Sequence, residues 1–225
     1  MKDITVRLGL VDSGVSENQV KYISAGRCFL SGDGVPPEAD RLGHGTAVVD
    51  IIRHYAPKVT LYNARVFDDR GVTTAARVAA ALDWLVLQRA DVINLSLGLQ
   101  QDRDILRTSC ARAVAAGVIL VAASPARGQV TYPAAYDGVI RATGDARCGP
   151  GEISFLASPQ ADFGACPRAL NQSPDQPPRH GGASLGAAHI SGQLAAYLLA
   201  GGDGLSVREW LVSCAKYIHN ERRTE

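Results

Sequence analysis

Apolar residues fall along this chain in two alternating rhythms. Short apolar-rich runs occupy residues 4–11, 59–67, 91–96, 118–123 and 139–143, and each reads as a strand of a buried sheet. Between them the apolar spacing is helical. Ala47, Val48, Ile51, Ile52 and Tyr55 share one face of the segment 45–55. Val78, Leu82, Leu85 and Val86 do the same in a segment that Thr73 or Thr74 caps and that runs to about Gln88. Asp102 is placed to cap the next helix and Gly117 to end it. Residues 184–199 form an apolar helix, and Ser206 caps a last one through Tyr217. Residues 16–42, rich in Gly, Pro and charge, read mainly as loop, and residues 145–182 as loops and short strands.

Buried strands alternating with helices predict an α/β fold with three layers, αβα, around a doubly wound, mostly parallel sheet. A single domain over residues 1–225 is expected, with no internal repeat. The Pro-rich stretch 173–178 reads as a loop rather than a linker, because the helix after it must pack on the sheet. Sites in such folds lie beyond the carboxyl ends of the strands. Asp12, Ser96 and Ser124 stand at such ends, and His44 and Ser184 at helix starts facing the same rim.

Composition narrows the partners. The net charge is only +1, and no basic cluster with interleaved aromatics occurs, so no nucleic-acid or membrane-surface partner is expected. No apolar run approaches the ~18 residues that would suggest a membrane span. The opening MKDITVRLGLVD does not read as a signal peptide, because Asp3 and Arg7 interrupt it, and a cytoplasmic location is expected. Cys28, Cys110, Cys148, Cys166 and Cys214 are odd in number and widely spaced, which predicts reduced, mostly buried thiols rather than a zinc or redox motif.

Asp12, His44 and Ser184 are the residues that chemistry selects on the predicted rim. A serine hydroxyl is a poor nucleophile until a base takes its proton. A neutral histidine serves near pH 7, and a carboxylate behind it fixes its tautomer and stabilises the imidazolium. Each residue alone has a bland reading: Asp12-Ser13-Gly14 as a turn, His44 as a helix start, Ser184 as a helix cap. Their order and glycine-rich flanks together favour the chemical one.

The stretches GLVDSGV (9–15), GHGTAVVDII (43–52), DVINLSLG (91–98), VILVAAS (118–124), YPAAYDGVI (132–140) and GGASLGAAHISG (181–192) resemble, in order, those of the subtilisin-like serine proteases, the subtilases. The resemblance implies a subtilisin-like fold in which Asp12 orients, His44 is the base and Ser184 the nucleophile. It implies that Ser96, Leu97 and Gly98 form the strand edge that pairs with an extended peptide substrate. It also implies that Thr131 lies near the floor of the pocket for the residue before the cleaved bond.

Departures from the family pattern matter as much. The asparagine that donates to the oxyanion is replaced in Ser124-Pro125-Ala126, with Ala126 at its place. Arg127, Gln129 and, further off, Asn171 are the polar candidates to take over. Ala183 stands for a usual Thr, Ala188 for a Pro and Asp50 for a Gly. No propeptide or calcium loop is recognisable, so neither metal nor cofactor is expected. His54, His189 and His219 read as structural, and His180 as a loop residue near the nucleophile. The expectation is a slow, selective serine endopeptidase acting on a peptide or protein precursor, as in leader removal. The alternative is a pseudoprotease that binds an extended peptide without cutting it. Oligomeric state stays open.

Overall fold

The structure, a computed structural model, describes residues 4–30, 39–170 and 181–219. Its elements in chain order are β1 (Arg7–Asp12), β2 (Ile23–Cys28), α1 (His44–Tyr55), β3 (Thr60–Arg65), α2 (Ala75–Leu87), β4 (Val92–Leu95), α3 (Asp104–Ala115), β5 (Ile119–Ala123), β6 (Ile140–Gly144), β7 (Ile153–Phe155), β8 (Phe163–Ala165), α4 (Ala183–Leu199), α5 (Val207–Ser213) and β9 (Ala215–Ile218). The strands form one sheet in the order β2-β3-β1-β4-β5-β6-β8-β7-β9. All pairings are parallel except β7 with β8.

Two apolar cores sandwich this sheet. Leu8 and Leu10 of β1 pack with Ile51 and Ile52 of α1, with Leu185, Ile190 and Leu194 of α4, and with Leu211 of α5. Val11 of β1 points the other way, with Ile93 and Leu95 of β4, into a second core closed by Leu82 and Leu85 of α2 and Leu106 of α3. A central strand must therefore be apolar on both faces, which is why the runs are so rich in apolar residues. The predicted three-layer, mostly parallel α/β architecture is the one observed.

Helix α4 is apolar all round because it is buried between the sheet and α1. Its approach to the sheet is closer than a side chain allows: a Cβ on Gly186 would lie 2.1 Å from the Thr143 carbonyl oxygen on β6. That contact fixes the depth of the first turn of α4, where Ser184 sits.

Several boundaries differ from the sequence reading. The last helix stops at Ser213 rather than Tyr217. Ala215–Ile218 extends instead, with alternating burial, and pairs with the open edge of β7. Ser206 makes no side-chain cap; Asp203 accepts from the Leu205 amide at 3.1 Å. Helix α3 starts at Asp104, not after a cap at Asp102, whose carboxylate is taken by the Tyr136 hydroxyl at 2.8 Å and by Arg107. The segment read as loop over 16–42 contains a 3-10 helix (Glu17–Tyr22) and the edge strand β2. Thr74 does cap α2, accepting from the Arg77 amide at 3.3 Å, and Gly117 follows α3 with φ +81°. The stretch 173–178 lies outside the described residues.

Candidate active site

Strand β1 carries Asp12 to the carboxyl edge of the sheet, where its side chain is 1% exposed. The turn after it meets the start of α1. Gly43 takes a left-handed φ of +74° and lets α1 begin at His44. Gly45 then passes so close to Gly14 that an added Cβ would lie 2.1 Å from the Gly14 carbonyl oxygen. Only glycine permits that approach, and the approach brings His44 onto Asp12: Nδ1 of His44 lies 2.7 Å from Oδ1 of Asp12. A carboxylate accepts, so Nδ1 carries the proton and Nε2 is left as the basic nitrogen.

The same Oδ1 accepts the Ser13 amide at 2.7 Å. Burial pulls the His44 pKa down, but the charge of Asp12, its hydrogen bond and the charge of Asp40 outweigh it and raise the pKa above 6.5. A cavity of about 280 Å3 opens beside the pair, lined also by Leu42, Phe67, Gly71 and Ser96.

Ser184 reaches this rim from the other side. It is the second residue of α4, with Gly182 at the cap position, so it is not the helix cap. Its amide lies in the first turn, which has no intrahelical partner for its N–H groups. Its hydroxyl donates to the carbonyl of Ser96 at 3.3 Å, and the Ser96 hydroxyl donates to the Ser184 carbonyl at 3.4 Å. Behind this pair, Asn94 donates to the Ser96 hydroxyl at 2.7 Å and accepts from Ser191 of α4 at 2.9 Å. Buried hydrogen bonds thus fasten the first turn of α4 to the end of β4, beside the His44 cavity.

The neighbouring residues singled out in the sequence follow β4 and differ in exposure. Ser96 and Leu97 are buried and Gly98 is exposed. A Cβ on Gly98 would lie 2.9 Å from Oγ1 of Thr131, so these two are in contact. Leu99 and Tyr132 exchange backbone bonds of 2.7 and 2.8 Å, which leaves the amides and carbonyls of Gly98 and Gln100 directed to the opposite side. There a cavity of about 460 Å3 separates Gly98–Gln101 from Thr73–Ala75. Ala126 and Arg127 are exposed and line a different cavity, of about 400 Å3, with Gly144, Asp145, Arg147 and Gln160. They are not among the residues lining the His44 cavity. Asn171 and His180 lie outside the described residues.

Sequence reasoning missed Asp40, hidden in a segment taken as loop. Its Oδ1 accepts from the Ser13 hydroxyl at 2.9 Å, the Leu42 amide at 3.0 Å and the Gly43 amide at 2.9 Å. Its Oδ2 accepts from the Thr46 amide at 3.0 Å and hydroxyl at 2.7 Å. The signal was available as an acidic residue three before a glycine that precedes a helix. Asp50, which stands for a family glycine, accepts from Gln19 at 2.6 Å and so ties the 3-10 helix to α1.

His189 serves structure. His189 is fully buried: the Tyr55 hydroxyl donates to its Nδ1 at 2.7 Å, and its Nε2 donates to the Arg168 carbonyl at 3.1 Å. Burial lowers its pKa to about 4. His54 and His219 are exposed. All five cysteines are free, and only Cys214 is exposed. Among the described residues no three His, Cys, Asp or Glu side chains converge as a metal site requires, and no helix is long and apolar enough to cross a membrane.

Comparison with known proteins speaks to family and fold. A family model described as the Subtilase family matches residues 4–220. The chain is 33% identical over 147 residues to the minor extracellular protease Epr of Bacillus subtilis (strain 168), covering 60% of this chain and 22% of that protein. It is 30% identical over 155 residues to subtilisin DY of Bacillus licheniformis, covering 62% and 56%. It is 27% identical to subtilisin E of Bacillus subtilis (strain 168) over 96% of this chain and 61% of that protein. The matches thus span less than two thirds of these relatives. A solved structure described as a lanthipeptide protease shares the fold, with a TM-score of 0.68 at 19% identity over 91% of this chain and 78% of that one.

Proposed function

This chain belongs to the subtilase family, and on that premise we propose that it is a serine endopeptidase in which Ser184 is the nucleophile, His44 the base and Asp12 the group that orients the base. The observation that carries the reading is the 2.7 Å bond from His44 Nδ1 to buried Asp12, beside a cavity whose Ser96 wall holds the Ser184 hydroxyl. The Ser184 oxygen attacks the scissile carbonyl carbon while its proton passes to Nε2 of His44. His44 returns that proton to the leaving amine, and the C–N bond breaks. Water then repeats the sequence on the acyl-serine, giving the carboxylic acid and free Ser184. Asp12 stays ionised throughout and balances the imidazolium.

The substrate lies extended between Gly98–Gln101 and Thr73–Ala75, its backbone pairing with the Ser96–Gly98 edge, with Thr131 near the pocket for the residue before the cut. The oxyanion forms at the first turn of α4, where the Ser184 amide is free to donate. Neither Ala126 nor Ala183 supplies a side-chain donor there, which supports a slow enzyme. A slow enzyme suits selective processing of a peptide precursor, such as leader removal, better than bulk digestion. Five unpaired thiols suit a reducing compartment such as the cytoplasm.

A fluorophosphonate probe followed by peptide mass mapping tests the assignment. Labelling at Ser184 that disappears in Ser184→Ala is expected. No labelling of the folded wild-type protein would overturn it in favour of a chain that binds peptides without cutting them. Rapid, unselective digestion of casein would remove the selective-processing part alone.

A further inference from the structure

A half-buried carboxylate beside a histidine needs an explanation, because a neutral acceptor would close the same turn at a lower desolvation cost. Every donor to Asp40 comes from the machinery around His44. Leu42, Gly43 and Thr46 bracket His44 itself, and Ser13 adjoins Asp12. The Ser13 hydroxyl sits between the two carboxylates, 2.9 Å from Asp40 Oδ1 and 3.3 Å from Asp12 Oδ1, and accepts the Gly45 amide at 3.1 Å. Its one proton serves the nearer partner, Asp40.

The other charged groups near His44 are engaged elsewhere: Arg65 of β3, in register with Asp12, bonds Asp69 at 2.8 Å and the Phe67 carbonyl at 3.4 Å. Arg41 is turned to Asp69 at 3.3 Å. The segment 67–71 brings Phe67 and Gly71 to the cavity, while Asp68 accepts from the Arg70 and Val72 amides of its own loop. Strand β4 and helix α4 present the hydroxyls of Ser96 and Ser184. Asp12 of β1 and Asp40 are both negative groups that act on the ring.

We propose that Asp40 is a positioning residue for His44: with Ser13 it pins the start of α1 against β1, and its charge stabilises the imidazolium that His44 becomes when it takes a proton. The bonds from Thr46, Ser13 and Gly43 outweigh burial and hold the Asp40 carboxyl below the ordinary carboxylate range, so the charge is present wherever His44 titrates. The kinetic consequence rests on His44 being the base; the effect on His44 itself does not.

The test is the titration of the His44 ring by NMR in wild type, Asp40→Asn and Ser13→Ala. In Asp40→Asn the His44 midpoint is expected to fall by roughly half a pH unit, with the acid limb of kcat/KM falling in step. An unchanged midpoint in folded Asp40→Asn overturns the proposal. Should that variant not fold, Ser13→Ala decides. It keeps the charge but loses the link, so the Nδ1–H signal of His44 should broaden by exchange and kcat fall roughly tenfold at constant KM. An unaltered Nδ1–H signal in Ser13→Ala overturns the proposal. If wild type shows no acylation, the protease reading fails, while the ring titration still decides the part played by Asp40.

Discussion

Asp12 meets His44 through a single oxygen. Oδ1 lies 2.7 Å from Nδ1 of His44 and also accepts the Ser13 amide, while Oδ2, buried, has no partner among the described residues. The ring is therefore held in one tautomer by one atom. Asp12→Asn would present an amide that can turn its NH2 group to Nδ1 and force the proton onto Nε2. Turnover should fall roughly 10,000-fold with little change in KM. A loss below tenfold, measured by pre-steady-state acylation, would show that Asp12 does not set the tautomer.

The raised pKa of His44 gives two opposite pH trends. Because the folded value lies above the unfolded 6.5, the protonated ring adds stability fully below pH 6.5, and this is lost as pH rises through the folded value. Catalysis needs the neutral ring, so activity should climb over that same window. The acid limb of kcat/KM should have its midpoint above 6.5, and thermal unfolding should show His44→Ala losing its disadvantage as pH rises. A midpoint below 6.5 would count against the pairing with Asp12 in solution.

His189 behaves in the opposite sense. Its folded pKa, about 4, lies below the unfolded 6.5, because burial penalises the charged ring more than its bond to the Arg168 carbonyl favours it. The unfolded chain binds the proton more readily, so stability is full above pH 6.5 and falls as pH drops towards 4. The loss tends towards about 3 kcal/mol. His189→Asn should be less stable at pH 7 yet lose less between pH 6.5 and 4, as read by urea unfolding at each pH. Parallel curves for the two proteins would place the acid sensitivity elsewhere.

Gly45→Ala should be among the most damaging single-methyl changes in the chain. The added Cβ meets a backbone oxygen at 2.1 Å, which cannot rotate away as a side chain would. Relief requires α1 to withdraw from β1, carrying His44 off Asp12. A loss of more than about 2 kcal/mol in unfolding free energy is expected, with activity falling further than stability alone explains. A fully active, stable Gly45→Ala protein would contradict the packing of these two segments.

The sequence carried most of this because buried parallel strands write themselves as apolar-rich runs. Val92–Leu95 and Ile119–Ala123 face two cores, and within them Asn94 alone, bonded to Ser96 and Ser191, breaks the apolar pattern. Edge strands carry no such signal. Ile23–Cys28 alternates partly buried and exposed residues among glycine and charge, and Ala215–Ile218 continues directly from a helix, so only pairing with β3 and β7 fixes them as strands. Asp12 and His44 were legible from their glycine-flanked contexts, and the structure brings them together. Asp40 was not, because its role depends on five donors that converge only after α1 docks on β1.

The oxyanion side of the site offers the last prediction. Donors aimed at the developing negative oxygen supply the largest single catalytic contribution in acyl transfer, and losing one costs ~100- to 1,000-fold in turnover. The first turn of α4 provides the Ser184 amide, but Ala126 and Ala183 have no side-chain donor to add. Ala126 is exposed on the segment that follows β5, with Arg127 and Gly128 beside it, so an asparagine there meets no packing obstacle. Ala126→Asn should therefore raise single-turnover acylation on one defined peptide, by up to roughly 100-fold, without altering unfolding. Arg127→Ala in the same assay separates the two ways the hole could be completed. A drop would identify the guanidinium as the group that stabilises the oxyanion, and no change would leave the Ser184 amide to act without it. A slower Ala126→Asn protein with intact folding would mean that the second donor enters from another segment and that Ala126 does not stand at the oxyanion.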